Sequence, residues 1–302
     1  MSNNIQCSDL PLFSIIIPSW NNLPFLKICV SSIKKNSTYR HQIIVHVNEG
    51  NDGTLEWVRN EGIDYTYSPK NIGVCLAVNS MRRLVKTDYI YYLNDDMYVL
   101  PQWDKILWDE ICNRPDNLFY LSGTMIQPHW KLDVCIQADY GTSPDTFQEE
   151  KLLQEYNKYE KQDWTGATWP PSLVHRDVWD LVGGYSIELT PGMYSDPDFT
   201  AKLWLAGVRY LKGLGNSRVY HFETKSTSRV KKNNGSLQFL MKWGMTNSTF
   251  RSCISQLGTT WAPEHKSVNV HRLRKNLIRS RVKAIWLLVT KGFGLSNKLW
   301  IQ

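Results

Sequence analysis

The feature that most constrains this chain is the alternation that fills its first hundred residues. Short β-rich runs trade places with helical spacing. Phe13 to Ile17 precedes Leu23 to Lys35, where Leu26, Val30 and Ile33 share a face. Gln42 to Val47 precedes Thr54 to Asn60, Asp64 to Tyr67 precedes Val74 to Val85, and Tyr89 to Leu93 follows. A helix between two strands returns the chain to the end where it started, so the strands pair in parallel and the helices cover both faces. The expected class is α/β, with a Rossmann-like, mostly parallel central sheet. Ligands of such sheets sit beyond the carboxyl ends of the strands. Attention therefore falls on Pro18-Ser19-Trp20-Asn21-Asn22, on Asn48-Glu49-Gly50-Asn51-Asp52-Gly53 and on Asn94-Asp95-Asp96.

Beyond residue 100 the pattern loosens. Pro101 to Cys112 reads as a helix, Leu118 to Ile126 as a strand and Asp145 to Lys161 as a charged helix. Val174 to Leu181 and Asp198 to Ala206 read as short helices, Val208 to Leu211 as a strand, and Asn233 to Ser236 as a turn or boundary.

Charge divides the chain unevenly. Its 302 residues hold 35 Lys and Arg against 28 Asp and Glu. Residues 264–302 hold nine of the basic side chains and a single acid, Glu264, so the body before them is near neutral. A nucleic-acid protein spreads its basic patch over the folded domain, which argues against that class. The six cysteines are scattered, with no Cys-x-x-Cys pair, which fits a reducing, cytoplasmic setting rather than a zinc site or a disulfide framework. The first residues show no signal-peptide pattern, and no apolar run approaches the roughly 20 residues of a spanning helix.

Two adjacent carboxylates, Asp95 and Asp96, follow the strand Tyr89 to Leu93. Acids so placed can hold a hard divalent cation, which would offset the charge of a departing nucleoside diphosphate. A polar turn is the alternative reading of the pair alone. Two further segments weigh against it: Asn71-x-Gly73 before a helix, and Gly183-Gly184-Tyr185 followed by Ser195-Asp196-Pro197-Asp198.

With these segments the sequence resembles the family-2 glycosyltransferases of the GT-A fold. The matching pieces are IIIPSWNN, VNEGNDGT, NIGVCLAVNS, YLNDDMYV, GATWPPSLVHRDVWDLVGGY, YSDPDFTAKLWLAG and VYHFETKS, in the family's order over about residues 12–226. The resemblance implies an inverting transferase that moves a sugar from a nucleotide-sugar, with a UDP-sugar favoured, to a hydroxyl of a glycan or lipid-linked acceptor. Polysaccharide or lipid-linked glycan assembly is the family's common setting. Pro18, Ser19, Asn21, Glu49, Asn71, Gly73, Asn94 and Asp95 resemble the nucleotide-sugar site, Glu49 falling where the family reads the base. Asp96 and His221 resemble the ligands of Mn²⁺ or Mg²⁺, and Asn94 stands where relatives often carry another acid. Asp196 falls where the family places the base that deprotonates the acceptor, although Ser195 replaces the usual preceding acid. As an N-cap Asp196 would serve structure instead, and the two roles can coexist. Trp164, Gly166 and Trp169 resemble the acceptor-side loop, where Trp164 or Trp169 would stack on a sugar face; core packing is the alternative for both.

The tail falls outside the resemblance. The expected organisation is a catalytic domain over 1–225 and a basic, largely helical extension over 226–302. Arg272, Lys275, Arg279 and Lys283 form one ridge of a helix, while Leu273, Leu277, Ala284 and Leu288 share another side. With Trp286 and Trp300 near, the tail resembles an interfacial helix that reads an anionic membrane; a solvated closing helix is the alternative. Two other functions stay in view. A sugar-phosphate nucleotidyltransferase shares the layered sheet, but the first strand is not followed by a Gly-rich loop with Lys or Arg. A non-enzymatic glycan- or nucleic-acid-binding protein would use the 13 tryptophans and the basic tail.

Overall fold

The computed structural model describes residues 10–129, 133–224, 229–262 and 268–291. Cys7, Glu264, Lys266, Lys298 and Trp300, and the expected boundary at 225/226, lie outside the described residues.

The alternation of the first hundred residues becomes β1 (Phe13–Trp20), α1 (Leu23–Asn36), β2 (Gln42–Asn48), α2 (Thr54–Asn60), β3 (Asp64–Ser68), α3 (Gly73–Met81) and β4 (Tyr89–Tyr92). There follow β5 (Met97–Val99), α4 (Trp103–Cys112), β6 (Phe119–Gln127), β7 (Cys135–Gln137), α5 (Glu149–Glu155), β8 (Trp164–Thr165) and β9 (Ser172–His175). After these come α6 (Arg176–Val182), α7 (Ser195–Leu205) and β10 (Tyr210–His221). The described chain closes with α8 (Gly235–Trp243), α9 (Asn247–Thr249), a π-helical turn (Phe250–Ile254) and α10 (Val270–Lys291).

The sheet runs β3-β2-β1-β4-β9-β6-β10-β5, with β7 on β6 and β8 on β10. The β1, β2, β3 and β4 pairings are parallel, and so is β6 with β10. Successive residues of β1 serve opposite layers: Ile15 and Ile17 join a core with Trp103 and Leu107, whereas Ile16 joins Val78, Phe199 and Leu203. The chain leaves β4 and enters β5 only four residues later, although three strands separate them in the sheet order. The sheet therefore curls until the end of β10 meets the residues that follow β4.

Two expectations are corrected. β1 does not stop at Pro18 but runs to Trp20, because its pairing with β4 ends at Ile16 and only β2 is paired beyond it. A proline is tolerated where one side of a strand has no partner. The helix expected from Val174 begins at Arg176, because Ser172–His175 inserts antiparallel between β4 and β6. A four-residue apolar run does not reveal its period, so strand and helix start look alike in sequence. The charged helix over 145–161 is likewise reduced to α5 with a 3₁₀ turn on either side.

Residues 235–259 are built onto the body. Phe239, Phe250, Cys253 and Ile254 share an apolar cluster with Ala201 of α7. The Thr165 amide donates to the Thr259 carbonyl at 2.8 Å, and the Gly258 amide to the Thr165 carbonyl at 3.0 Å. In α10, Leu273, Leu277, Ala284 and Leu288 are half-buried, whereas Ile278, Val282, Ile285, Trp286 and Val289 are each at least 60% exposed. At helical spacing these five share the outward face, flanked by Arg274 and Arg281 on one side and Lys275 and Arg279 on the other. No helix among the described residues is long and apolar enough to cross a membrane. Among the described residues the cysteines are free thiols.

Candidate active site

The carboxyl ends of β1, β2 and β4 and the end of β10 converge on a cleft of about 480 Å³. It brings together Pro18, Ser19, Asn71, Gly73, Asn94 and Asp95 on one side of the sequence expectations, and Asp96, Asp196 and His221 on the other. Asn21 and Glu49 stand at its rim. Glu49 Oε2 accepts from Trp20 Nε1 at 2.9 Å and Asn21 Nδ2 at 3.0 Å, and Oε1 accepts from the Asn71 amide at 3.4 Å. These donors, the Trp20 indole first, hold the Glu49 carboxyl below its usual range despite the opposing effect of desolvation. Asn21 and Glu49 adopt φ of 45° and 61°, left-handed values that non-glycine residues rarely take.

Asp95 accepts from Ser19 Oγ at 2.8 Å. Burial, then the charge of Asp96, pushes its carboxyl up to about 7. Asp96 goes the other way. Against burial, the charge and hydrogen bond of His221 and two donors from Thr224, at 2.9 and 2.8 Å, lower it. His221 Nε2 lies 3.4 Å from Asp96 Oδ2, and its Nδ1 is 2.9 Å from Gln127 Oε1. Burial opposes charging of His221, yet the Asp96 carboxylate raises its pKa above the usual value. With Gln127 accepting from Nδ1–H, the lone pair of a neutral His221 faces a carboxylate oxygen. That arrangement calls for a proton or a cation between the two groups, and a carbonyl-type partner on the far nitrogen is how a metal-binding imidazole is oriented. The donor set of one carboxylate and one imidazole suits a divalent ion such as Mn²⁺. Among the described residues no group of three His, Cys, Asp or Glu gathers around one point, so the protein alone offers an incomplete shell.

Asp196, in the first turn of α7, also lines the cleft. Tyr185 donates its hydroxyl to Asp196 Oδ1 at 3.1 Å, and burial pushes the Asp196 carboxyl up to about 7. Asp198, two residues on, is fully buried and takes Trp243 Nε1 and Lys242 Nζ, each at 2.9 Å, so it ties α7 to α8. Gly73 opens α3 with φ 76° and lies so close to the next loop that a Cβ would stand 2.7 Å from Thr190 and 2.8 Å from Pro191.

The acceptor-side expectation for Trp164 is corrected. Its indole is 4% exposed, covers Gly213 where a Cβ would come within 1.8 Å of the ring, and donates Nε1 to Thr124 Oγ1 at 3.1 Å. Neither face is open to a sugar. Gly166 packs its backbone on Ser255 and Leu257, and Trp169 lies under the Arg251 guanidinium at 5.1 Å; neither lines the cleft. Sequence reasoning missed Gln127 and Arg229, and gave no individual role to Tyr185 and Thr224, which lie inside the motifs it quoted. The Arg229 guanidinium stacks on Trp20 at 4.3 Å and donates to its carbonyl at 3.0 Å. Its position in a cationic run with Lys225, Lys231 and Lys232, just past VYHFETKS, was the available signal.

A curled, mostly parallel sheet with an acid-lined cleft at its carboxyl edge defines the GT-A class of glycosyltransferase. Residues 14–180 match the family described as glycosyl transferase family 2, and the chain belongs to that family. A comparison with curated proteins gives no match. Among solved structures, the chain is similar to GalNAc-T7 with UDP, GalNAc and Mn²⁺ (TM-score 0.55, 14% identity), over 95% of this chain and 59% of that one. It therefore spans less than two thirds of the GalNAc-T7 chain. It is also similar to S. aureus TarS 1–349 (TM-score 0.56, 12% identity, 96% of this chain and 75% of that one). The TarS structure in complex with UDP gives a TM-score of 0.54 at the same identity and coverage.

Proposed function

We propose that the protein transfers a sugar, with inversion, from a UDP-sugar to a hydroxyl of a glycan or lipid-linked acceptor. The observation that carries this reading is the shared cleft: a carboxylate raised to about 7, Asp196, in one cavity with Asp95, Asp96 and His221. Inversion needs a single base on the acceptor, whereas a retaining glycosidase needs a close carboxylate pair across the bond. Tyr185 occupies Asp196 Oδ1, which leaves Oδ2 to take the proton as the acceptor oxygen attacks the anomeric carbon. A pKa near the working pH suits that transfer, since the base is ionised yet still basic.

On the donor side, Asp95, oriented by Ser19, binds the ribose. Glu49 stays ionised and presents Oε1 to an N–H of the base. Asn71 and the Gly73 backbone border the donor sugar and phosphates. A divalent cation, Mn²⁺ or Mg²⁺, would be held by Asp96 and His221 together with diphosphate oxygens, and would offset charge on the leaving group. The UDP in two neighbouring structures and the Mn²⁺ in one favour this choice of nucleotide and ion.

The outward face of α10 supports peripheral attachment to an anionic, cytoplasmic-side membrane: an apolar stripe that includes Trp286 and ends in Val289, between basic flanks, is the pattern of a helix lying in the interface. The flanking cations make a second copy of the helix a poor partner, because like charges would meet.

A donor screen tests the function. UDP release from a panel of UDP-sugars, with Mn²⁺ or Mg²⁺, is expected for at least one. Product from sugar phosphate and UTP instead, with no such release, would move the protein to the nucleotidyltransferases.

A further inference from the structure

A second cavity, of about 550 Å³, opens between α8, α9, the π-helical turn and α10. Tyr194 lines it next to the cleft, although the two cavities share no lining residue. With φ 70° this residue enters the lining of the second cavity, while its neighbours Met193 and Ser195 line the first. The base-bearing turn of α7 thus stands between the two.

The chemistry of the second cavity is one-sided. Arg251 and Lys283 line it and no acidic residue does, and among the described residues neither cation makes an ion pair. Burial lowers the Arg251 pKa, which is the mark of a partly desolvated cation. Two polar atoms here are buried without a hydrogen-bond partner: Arg251 Nε, a donor, and Asn247 Oδ1, an acceptor. Such orphans are rare in a finished interior, and each costs free energy. Both atoms are closed to solvent, so what the cavity offers a ligand is the positive charge of Arg251 and Lys283, which an anion offsets. The hydroxyl-bearing side chains of Ser236, Ser248 and Ser252 on the same walls suit a polyhydroxylated molecule.

We infer that this cavity is the acceptor subsite and that the acceptor is an anionic sugar, its phosphate or carboxylate held by Arg251 and Lys283. The inference rests on the transferase reading, with Asp196 as the base beside it. The exposed Tyr194 ring forms the wall of this subsite nearest the base-bearing turn.

Calorimetry on the full chain tests it with three probes: glucose 6-phosphate, glucuronate and glucose. Saturable binding is expected for at least one of the two anionic probes, at least about tenfold tighter than for glucose, as charge-assisted hydrogen bonds require. Whichever anion binds more tightly separates phosphate from carboxylate. Lys283→Gln, at an exposed position, is expected to weaken that binding several-fold, and Arg251→Gln at least about tenfold. Arg251→Lys, which keeps the charge over Trp169 but lacks Nε, is expected to fall between. No preference for the anionic probes, or equal binding by the wild type and Lys283→Gln with Arg251→Lys also unchanged, would overturn the inference. UDP binding in the same preparations keeps the two readings apart. If UDP binds and the anionic sugars do not, the acceptor inference fails alone; if UDP fails to bind, the donor reading fails.

Discussion

Tyr185 and Asp196 are joined across 3.1 Å, phenol to carboxylate, and the Tyr185 ring is stacked on Phe199 with centroids 4.8 Å apart. The hydroxyl opposes the effect of burial on Asp196. Tyr185→Phe removes that opposition, so the Asp196 pKa rises further above the ordinary carboxyl value and the acid limb of the kcat profile moves to higher pH. Activity lost at pH 7 is expected to return in part at pH 8.5. A profile unmoved by the substitution would leave Tyr185 a packing residue.

Asp196→Asn is expected to lower kcat by about 10²–10⁴, the range for a lost general base, with UDP binding within about twofold of wild type. Stability carries the opposite sign. The folded value near 7 lies above the ordinary carboxyl value near 4, so the native protein holds a proton that the unfolded chain releases. Stability from the neutral carboxyl is complete below about pH 4 and is lost as pH rises through about 7. The Asn variant escapes that loss, and its Tm at pH 8 is expected to exceed the wild-type value. Near-normal transfer by Asp196→Asn would remove the assigned mechanism.

Asp96→Ala is expected to abolish the strengthening of UDP binding by Mn²⁺, compared by calorimetry with and without the ion. Gln127→Met, which keeps the volume but frees His221 Nδ1, should weaken the apparent Mn²⁺ affinity by about tenfold, the usual scale for losing a group that orients a metal-binding imidazole.

Gly73→Ala meets two obstacles, a left-handed φ and contact with Thr190 and Pro191. A loss of roughly 1–3 kcal/mol in denaturant unfolding is expected, with weaker UDP binding, because the Thr190–Pro191 loop would be pushed toward the cleft.

Ile285→Glu with Trp286→Glu is expected to reduce partition onto vesicles rich in anionic lipid by at least about tenfold while sparing UDP release, since each change removes apolar area from the outward face of α10. Undiminished partition would return α10 to the role of a closing helix.

What could be read from the sequence followed from local periodicity. The parallel half of the sheet announces itself through Ile15, Ile16 and Ile17 and the helices between, and the cleft residues lie at strand ends where such a sheet puts them. The antiparallel strand Ser172–His175 does not, since four residues cannot display a period and its partners are distant in sequence. Trp164 failed for a related reason. A tryptophan in a polar loop reads equally as a sugar platform or as core, and only the opposing Gly213, some fifty residues on, reveals that its face is covered. The outward row of α10 was overlooked because Leu273, Leu277, Ala284 and Leu288 already supplied an apolar side; the helix has two. Gln127 could not be singled out, because its value lies entirely in its distance from His221.

The short passage from β4 to β5 has a consequence for tolerance to insertion. Asp95 and Asp96 occupy the segment that closes the curl of the sheet, and Met97 stands in register with His221. One residue added between Leu93 and Met97 would have to slip β5 along β10, turning each β5 side chain to the opposite face. The spacing of Asp96 and His221 is thus held by a count of residues, and a length change there would be costlier than most substitutions in the same loop.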